Sequence, residues 1–395
     1  MSLNLKQLKT ELHVELNSIL DYWENNTIDN KNGGFVGQID YKNETIDNAE
    51  KGSVLNARIL WTFSASYPVT RNENHKKIAE RAFEYLSAHF YDKEFGGLFW
   101  SINADTTPRD TKNQIYALAF AIYGLSEFYA ISQNKEALEL AISLYQQIEK
   151  HSFDKTNNGY LEAFTRDWQP IDDLRLSEKD ANEKKTMNTH LHIVEAYANL
   201  YKVWKNEQLK DIIENLLSTI EKHFINIETG HLHLFFDENW NENADVISYG
   251  HDIEAAWLLL QCAEIIENKE IIARFQKYAI QIADVTTEGI DNDGGLWYEL
   301  EIKNNHLIKE KHWWPQSELQ IGFYTAYQLT GDQKYLDIVS KNWEFTKKYL
   351  IDHENGEWFW GIYHDYTVIK KDKAGFWKCP YHNGRACLEL ISRIP

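Results

Sequence analysis

The chain has 395 residues, 43% of them hydrophobic and 26% charged, with a formal net charge of -19. That balance is ordinary for a folded protein, and so acidic a surface argues against nucleic acid and anionic membranes as partners. The three cysteines, Cys262, Cys379 and Cys387, lack disulfide or zinc spacing and read as reduced buried thiols. No apolar run approaches the roughly 20 residues of a membrane span.

The first segment, Met1–Trp23, mixes polar and apolar residues around Lys6, Lys9, Glu11 and Glu15. It lacks a leader's apolar core, so a cytoplasmic location is expected. Leu5–Trp23 reads as an amphipathic helix. The chain then repeats itself. Glycine beside an acidic or amide residue, followed by apolar residues, recurs at Gly34, Gly97, Gly159, Gly230, Gly295 and Gly356, with spacings of 63, 62, 71, 65 and 61 residues. A fixed period of this length signals stacked or closed supersecondary units.

Each mark leads into an apolar helix. These begin near Lys51–Val54, Lys112–Ile115, Thr186–Asn188, Tyr249–His251, Trp314–Gln316 and Pro380–Asn383. Tyr116–Leu125 and Ala255–Leu260 are apolar all round, which marks buried helices. A more charged helix follows each of the first five, at Lys76–Phe90, Lys135–Lys150, Gln208–Phe224, Glu270–Val285 and Gln333–Tyr349. Asn74, Asn134, Asn206, Asn268 and Asp332 stand as their N-caps. Twelve helices alternating outer and inner predict an all-α fold, an (α/α)6 barrel forming one domain over 1–395. An open α-solenoid uses the same helix pairs, but only a closed ring brings the polar residues of six units to one mouth.

Those polar residues cluster at the inner-helix starts: Asn56 and Arg58; Tyr116; Asn188, His190 and His192; His251, Asp252 and Glu254; Trp313, Trp314, Gln316 and Glu318; Trp377, Tyr381, His382, Asn383 and Arg385. A polar ring at the mouth of an apolar core is a site candidate. Each member also has a plain structural reading. His190 and His192 point about 200° apart on a helix, so at most one faces the site. His251 and Glu254 share a face, and Glu254 could fix the imidazole tautomer or make a simple intrahelical bond. Arg58 is either an oxyanion partner or half of an ion pair. His312 precedes its helix and is left out. The 14 Trp and 22 Tyr suit a sugar site, although helical barrels also pack aromatics between layers.

No nucleophile elbow, dinucleotide fingerprint or phosphate loop occurs. Neither HExxH nor an acidic cluster points to a metal, so no cofactor is expected. What remains is acid/base chemistry by histidines, with Arg58 stabilising an oxyanion. Two histidines on opposite sides of one carbon would invert it.

At these same residues the chain resembles the N-acylglucosamine 2-epimerase superfamily. The matching segments are Met187-Asn188-Thr189-His190-Leu191-His192, Tyr249-Gly250-His251-Asp252-Ile253-Glu254-Ala255, Trp313-Trp314-Pro315-Gln316-Ser317-Glu318 and Lys378-Cys379-Pro380-Tyr381-His382-Asn383-Gly384-Arg385. The resemblance spans the whole chain. Trp377 and the residues around Tyr381-His382-Asn383 look like the subgroup acting on disaccharides. The resemblance implies cofactor-free epimerisation at C2 of the reducing-end glucose or mannose of cellobiose, lactose or mannobiose. It places His251 and His382 on the acid/base positions and His192 on a third site histidine. Arg58, Tyr116, Asn188, Glu254, Trp314 and Trp377 fall on substrate-contact or supporting positions, and Glu318 joins them as a candidate. A small-molecule carbohydrate is the expected partner, and a monomer the expected state.

Other readings stay open on the residues alone. Within the family these are a monosaccharide or N-acylglucosamine 2-epimerase, or an aldose–ketose isomerase. Outside it, a glycoside hydrolase on the same barrel would need two carboxylates flanking a bond, and Glu254 and Glu318 are the only obvious inner pair. A non-catalytic sugar- or protein-binding module would need the ring of residues but no proton transfer.

Overall fold

A computed structural model describes residues 4–243 and 246–395. Among the described residues are twelve α-helices: α1 (Leu5–Asn26), α2 (Ser53–Thr70), α3 (Glu73–Tyr85), α4 (Ile115–Ser132), α5 (Lys135–His151), α6 (Met187–Val203), α7 (Glu207–His223), α8 (Tyr249–Ile266), α9 (Lys269–Thr286), α10 (Trp313–Thr330), α11 (Gln333–Tyr349) and α12 (Tyr381–Arg393). The even-numbered helices pack side by side in chain order, and α12 returns to contact α2 and α1. The ring is closed, which makes the fold an (α/α)6 barrel rather than a solenoid.

The two rings differ as their sequences demand. α4 is buried from Ile115 through Ser126 without a break. It is long and apolar enough to cross a membrane, with a mean hydropathy of 1.4, but it lies inside the inner ring between α2 and α6. The outer α7 instead buries one stripe, Leu209, Ile213, Leu216, Leu217 and Ile220. Asn134, Asn206, Asn268 and Asp332 cap the outer helices, each accepting a first-turn N–H. Asn74 does not. Asn72 takes that role by accepting the Asn74 N–H, so α3 starts earlier than expected and ends in a π turn at Leu86–Phe90.

Short antiparallel strands stitch the units together. The residues just before an inner helix pair with the hairpin of the following unit: Lys51–Gly52 with Ser101–Ile102, Asn113–Gln114 with Ala163–Phe164, Lys185–Thr186 with Phe235–Phe236, Val246–Ser248 with Glu299–Glu301, and Lys311–His312 with Gly361–Ile362. A bridge between Ile39 and Ala374 joins the first hairpin to the last unit. Buried lysines brace four hairpin turns through Lys51–Asp29, Lys185–Asp154, Lys311–Asp291 and Lys373–Asp352 ion pairs. Without its carboxylate each buried ammonium would be costly. The three cysteines are buried and free.

The glycine marks are conformational. Gly97 has φ +84°, and a Cβ there would lie 2.0 Å from Asn113 Oδ1, the atom that accepts the Leu98 N–H. Gly97→Ala should therefore lower stability by about 1–3 kcal/mol from backbone strain alone, with more lost if the Asn113 bond breaks. Equilibrium denaturation checks this; an unchanged midpoint would mean that the mark is not required.

Candidate active site

The polar residues at the inner-helix starts divide by position. The fourth residues of α6, α8 and α10 turn outward and hold the hairpins. His190 Nε2 accepts the Tyr160 N–H at 2.8 Å, Asp252 Oδ1 the Leu232 N–H at 2.9 Å, and Gln316 Oε1 the Leu296 N–H at 2.7 Å. The sixth residues of α2, α6, α8 and α10, namely Arg58, His192, Glu254 and Glu318, together with residues near each start, turn to the barrel axis. Helical periodicity separates the two sets.

The inward set surrounds a cavity of about 300 Å³, within the range of small-molecule sites. Arg58, Tyr116, Asn188, His192, His251, Glu254, Trp314, Trp377 and His382 all line it. Glu318 lies behind His382 and touches it.

Three histidines share one arrangement. His382 Nδ1 meets Glu318 Oε1 at 2.6 Å, His192 Nδ1 meets Glu195 Oε2 at 2.8 Å, and His251 Nδ1 meets Ser248 Oγ at 2.8 Å. Among the described residues none of the three Nε2 atoms has a hydrogen-bond partner. Tethering Nδ1 orients each ring and leaves Nε2 for the cavity. The Trp314 ring lies 4.8 Å from His251 and 5.7 Å from His382, centroid to centroid. Burial pulls the His251 pKa down to about 4, with Glu254 opposing. Burial, then Arg58 and Arg385, hold His382 well below the ordinary imidazole range. Both rings are thus neutral bases near pH 7. The expected Glu254–His251 pairing does not form, because Glu254 is drawn to Arg385 and Ser248 holds the imidazole instead.

Two arginines occupy the site in different ways. Arg58 makes no ion pair among the described residues. Its Nη2 donates to Tyr116 Oη at 2.7 Å, its Nη1 reaches Cys379 Sγ at 3.9 Å, and its guanidinium carbon lies 4.1 Å from the Phe120 ring centre and 4.8 Å from that of Tyr381. It is a buried, uncompensated cation facing the cavity. Arg385 is fully buried and donates to Glu195 Oε1 at 2.5 Å, Glu254 Oε1 at 2.6 Å and Glu318 Oε1 at 2.7 Å. Glu318 also accepts from Trp257 Nε1 at 3.0 Å. Burial raises the Glu318 carboxyl while Arg385 opposes that rise. In Glu195, Arg385 and His192 outweigh burial and hold the carboxyl below its ordinary value.

The sequence showed no acidic cluster, yet Glu254, Glu318 and His382 converge within 4.8 Å. Their chemistry would suit a cation, and the Arg385 guanidinium already fills that role. The same contacts remove the glycosidase reading, since Glu254 and Glu318 share Nη2 of Arg385 rather than flanking an open cleft. Trp257 and Trp358 are core residues; Trp313 is buried yet lines the cavity, and Trp314 and Trp377 are half-buried and present surface to it.

Several residues escaped the sequence reading. Glu195 lies deeper in α6 than the cluster of starts and holds His192 from behind the cavity wall. His312 lines the cavity, its Nε2 held by Glu310 at 2.6 Å. Leu176, Ser177, Lys179 and Asp180 overhang the cavity from the long third hairpin, and Tyr298, Trp360 and Lys371 come from the last two. The 71-residue third spacing was the available signal for the overhang.

Comparison with known proteins follows the same lines. Residues 33–386 match the family model described as N-acylglucosamine 2-epimerase (GlcNAc 2-epimerase). Cellobiose 2-epimerase of Bacteroides fragilis is 49% identical over 386 residues, covering 97% of this chain and 98% of that protein. The solved cellobiose 2-epimerase of Bacillus thermoamylovorans has a TM-score of 0.95 at 39% identity, over 98% of this chain and 100% of that one. A solved D-mannose isomerase, 22% identical with a TM-score of 0.84, shares the fold.

Arg385→Met should leave three buried carboxylates without their cation. Removing one partner of a buried ion pair costs about 3–5 kcal/mol, measurable by denaturant titration; a change under about 0.5 kcal/mol would mean that the cluster is not held by charge.

Proposed function

The chain belongs to the N-acylglucosamine 2-epimerase family, and from that premise we propose that this sugar isomerase inverts C2 of the reducing-end glucose or mannose in β-1,4-linked disaccharides such as cellobiose. The observation that carries the reading is the pair His251 and His382. Both are neutral, both are tethered at Nδ1 with Nε2 free, and both lie against the same face-presenting residue, Trp314.

The reaction starts from the opened reducing sugar, with C1 as an aldehyde. One imidazole Nε2 removes the C2 proton. The electron pair moves into C1–C2 and the carbonyl oxygen takes the charge, giving an enediolate. Arg58 lacks a carboxylate to neutralise it, so it supplies a preorganised positive charge for that oxygen, with Tyr116 fixing the guanidinium. After rotation about C2–C3, the other imidazole, which takes a solvent proton onto Nε2 once the anionic enediolate forms beside it, delivers that proton to the opposite face; the carbonyl re-forms and the first imidazole gives its proton up to solvent. His192, tethered by Glu195, completes the set of proton-carrying groups, and Asn188 lies beside it to hold sugar hydroxyls. Trp314 and Trp377 offer faces to the sugar rings. Tyr298 and Trp360, further out, give aromatic surface to a second ring, which favours a disaccharide. Every step uses side chains alone, so no cofactor is required.

His251→Asn and His382→Asn should each reduce epimerisation by about 10²–10⁴-fold while circular dichroism stays native. In deuterated buffer, one variant should still exchange the C2 hydrogen of the gluco substrate with retained configuration, and the other should exchange that of the manno epimer. A single variant that loses exchange from both epimers, with the other near wild type, would replace two bases with one.

The acid limb of kcat/KM follows from the lowered imidazoles. A base must be unprotonated, so activity should persist below pH 6.5 and fall only as pH approaches about 4. The unfolded chain takes up these protons first, near its ordinary pKa of 6.5. Stability is therefore lost progressively below that pH, and rates are read only where the fold persists. An acid limb centred at 6.5 in folded enzyme would contradict the assignment.

A further inference from the structure

The second position of the hairpin mark breaks its own rule twice. Antiparallel bridges align the six hairpins at Ile28–Phe35, Tyr91–Leu98, Phe153–Tyr160, Ile225–Leu232, Ile290–Leu296 and Ile351–Trp358. The residue just before the second member of each bridge is Gly34, Gly97, Gly159, His231, Gly295 and Glu357. At the four glycines a Cβ has no room: it would meet the Tyr85 ring at 2.5 Å, Asn113 Oδ1 at 2.0 Å, the Trp240 ring at 2.5 Å and Lys311 Cδ at 2.7 Å. The two exceptions fall in the units whose inner helices carry His251 and His382.

Both exceptions reach the residue that follows the histidine. His231 Nδ1 meets Asp252 Oδ2 at 2.7 Å, and its Nε2 lies 3.3 Å from Glu288 Oε1, which also accepts from Tyr249 Oη at 3.2 Å. Tyr249 and Asp252 flank His251 in sequence, so this cluster grips its helical turn from outside. In the sixth unit, Glu357 Oε1 accepts from Asn383 Nδ2 and from Lys378 Nζ, both at 2.6 Å, and its Oε2 accepts from Trp23 Nε1 at 2.6 Å. Lys378 and Asn383 bracket His382. Glu357 holds a left-handed backbone, φ +61°, which a residue with a side chain adopts only when its surroundings impose it. Neither His231 nor Glu357 lines the cavity.

We propose that His231 and Glu357 are positioning residues for the two acid/base histidines, each fastening the residue after its imidazole so that Nε2 is aimed at C2. The inference rests on the two-histidine reading and adds a separate device for each half of the reaction. Elsewhere in the ring a glycine and a neighbouring side chain suffice to close the hairpin. In these two units the second mark position itself carries the imidazole or carboxylate that reaches the residue after the histidine.

The test uses the full-length enzyme with His231→Gly, His231→Asn, His231→Gln and Glu357→Gln. Asparagine places its amide nitrogen where Nδ1 was and keeps the Asp252 bond, whereas glutamine mimics Nε2 and loses it. Small misplacements of reacting groups cost about 10–100-fold, so H231G and H231Q should lower kcat by that factor with KM for cellobiose near wild type, and H231N should restore it. In deuterated buffer H231G should slow C2 exchange only for the epimer whose exchange H251N abolishes, and E357Q only for the epimer that depends on His382. Equal slowing for both epimers, a change confined to melting temperature, or H231N behaving like H231Q would overturn the proposal. Should H231G not fold, the comparison of H231N with H231Q decides. Wild-type enzyme that exchanges neither epimer would instead remove the two-histidine reading on which the proposal stands.

Discussion

One guanidinium ties the barrel to its chemistry. Arg385 on α12 binds Glu195 of α6, Glu254 of α8 and Glu318 of α10, and all four side chains are buried. Four of six inner helices thus share a single buried cation. Such a cluster is a poor source of net stability compared with apolar packing, but it is unforgiving of rearrangement, since any helix that shifts leaves a charge unpaired. Two of the three carboxylates use their remaining capacity to hold Nδ1 of His192 and His382. Ring closure and imidazole orientation are therefore one constraint.

A second division of labour lies along each inner helix. Residues directed outward, such as His190, Asp252 and Gln316, take up hairpin N–H groups, while those directed inward build the cavity. The contrast between the two arginines follows from it. Arg385 is neutralised three times over and is architectural. Arg58, among aromatic faces and a tyrosine hydroxyl, keeps its charge available to whatever enters. The Phe120 and Tyr381 faces and the Tyr116 hydroxyl offset part of the cost of burying that charge without a carboxylate.

Much of this was legible before any coordinates. The glycine period, with its polar-to-apolar alternation of helices, specified twelve helices in two rings, and the polar residues gathered at the inner-helix starts marked the site's end of the barrel; that Arg58, His192, Glu254 and Glu318 share the sixth position of their helices emerges from the helix bounds. What escaped depended on closure. Arg385 and Glu195 are 190 residues apart, and no local pattern pairs them. His251 and Glu254 share a helix face, but Arg385 competes for the carboxylate and Ser248 takes its place. Asn72 rather than Asn74 caps α3 because both residues can cap and only the backbone path decides. The overhanging Leu176–Asp180 segment belongs to the longest period, and nothing in its local sequence fixes its direction over the cavity.

The proposed mechanism has one base remove the C2 proton and another supply its replacement, on a carbon held against Trp314. The central claim is that the incoming proton comes from a different group than the one that removed the old one. Following unlabelled cellobiose in deuterated buffer by NMR at early times tests this most directly. The account predicts that the C2 epimer carries solvent deuterium at C2 from the first turnovers, with no label elsewhere and no monosaccharide released. Epimer that retains its original C2 hydrogen would contradict it.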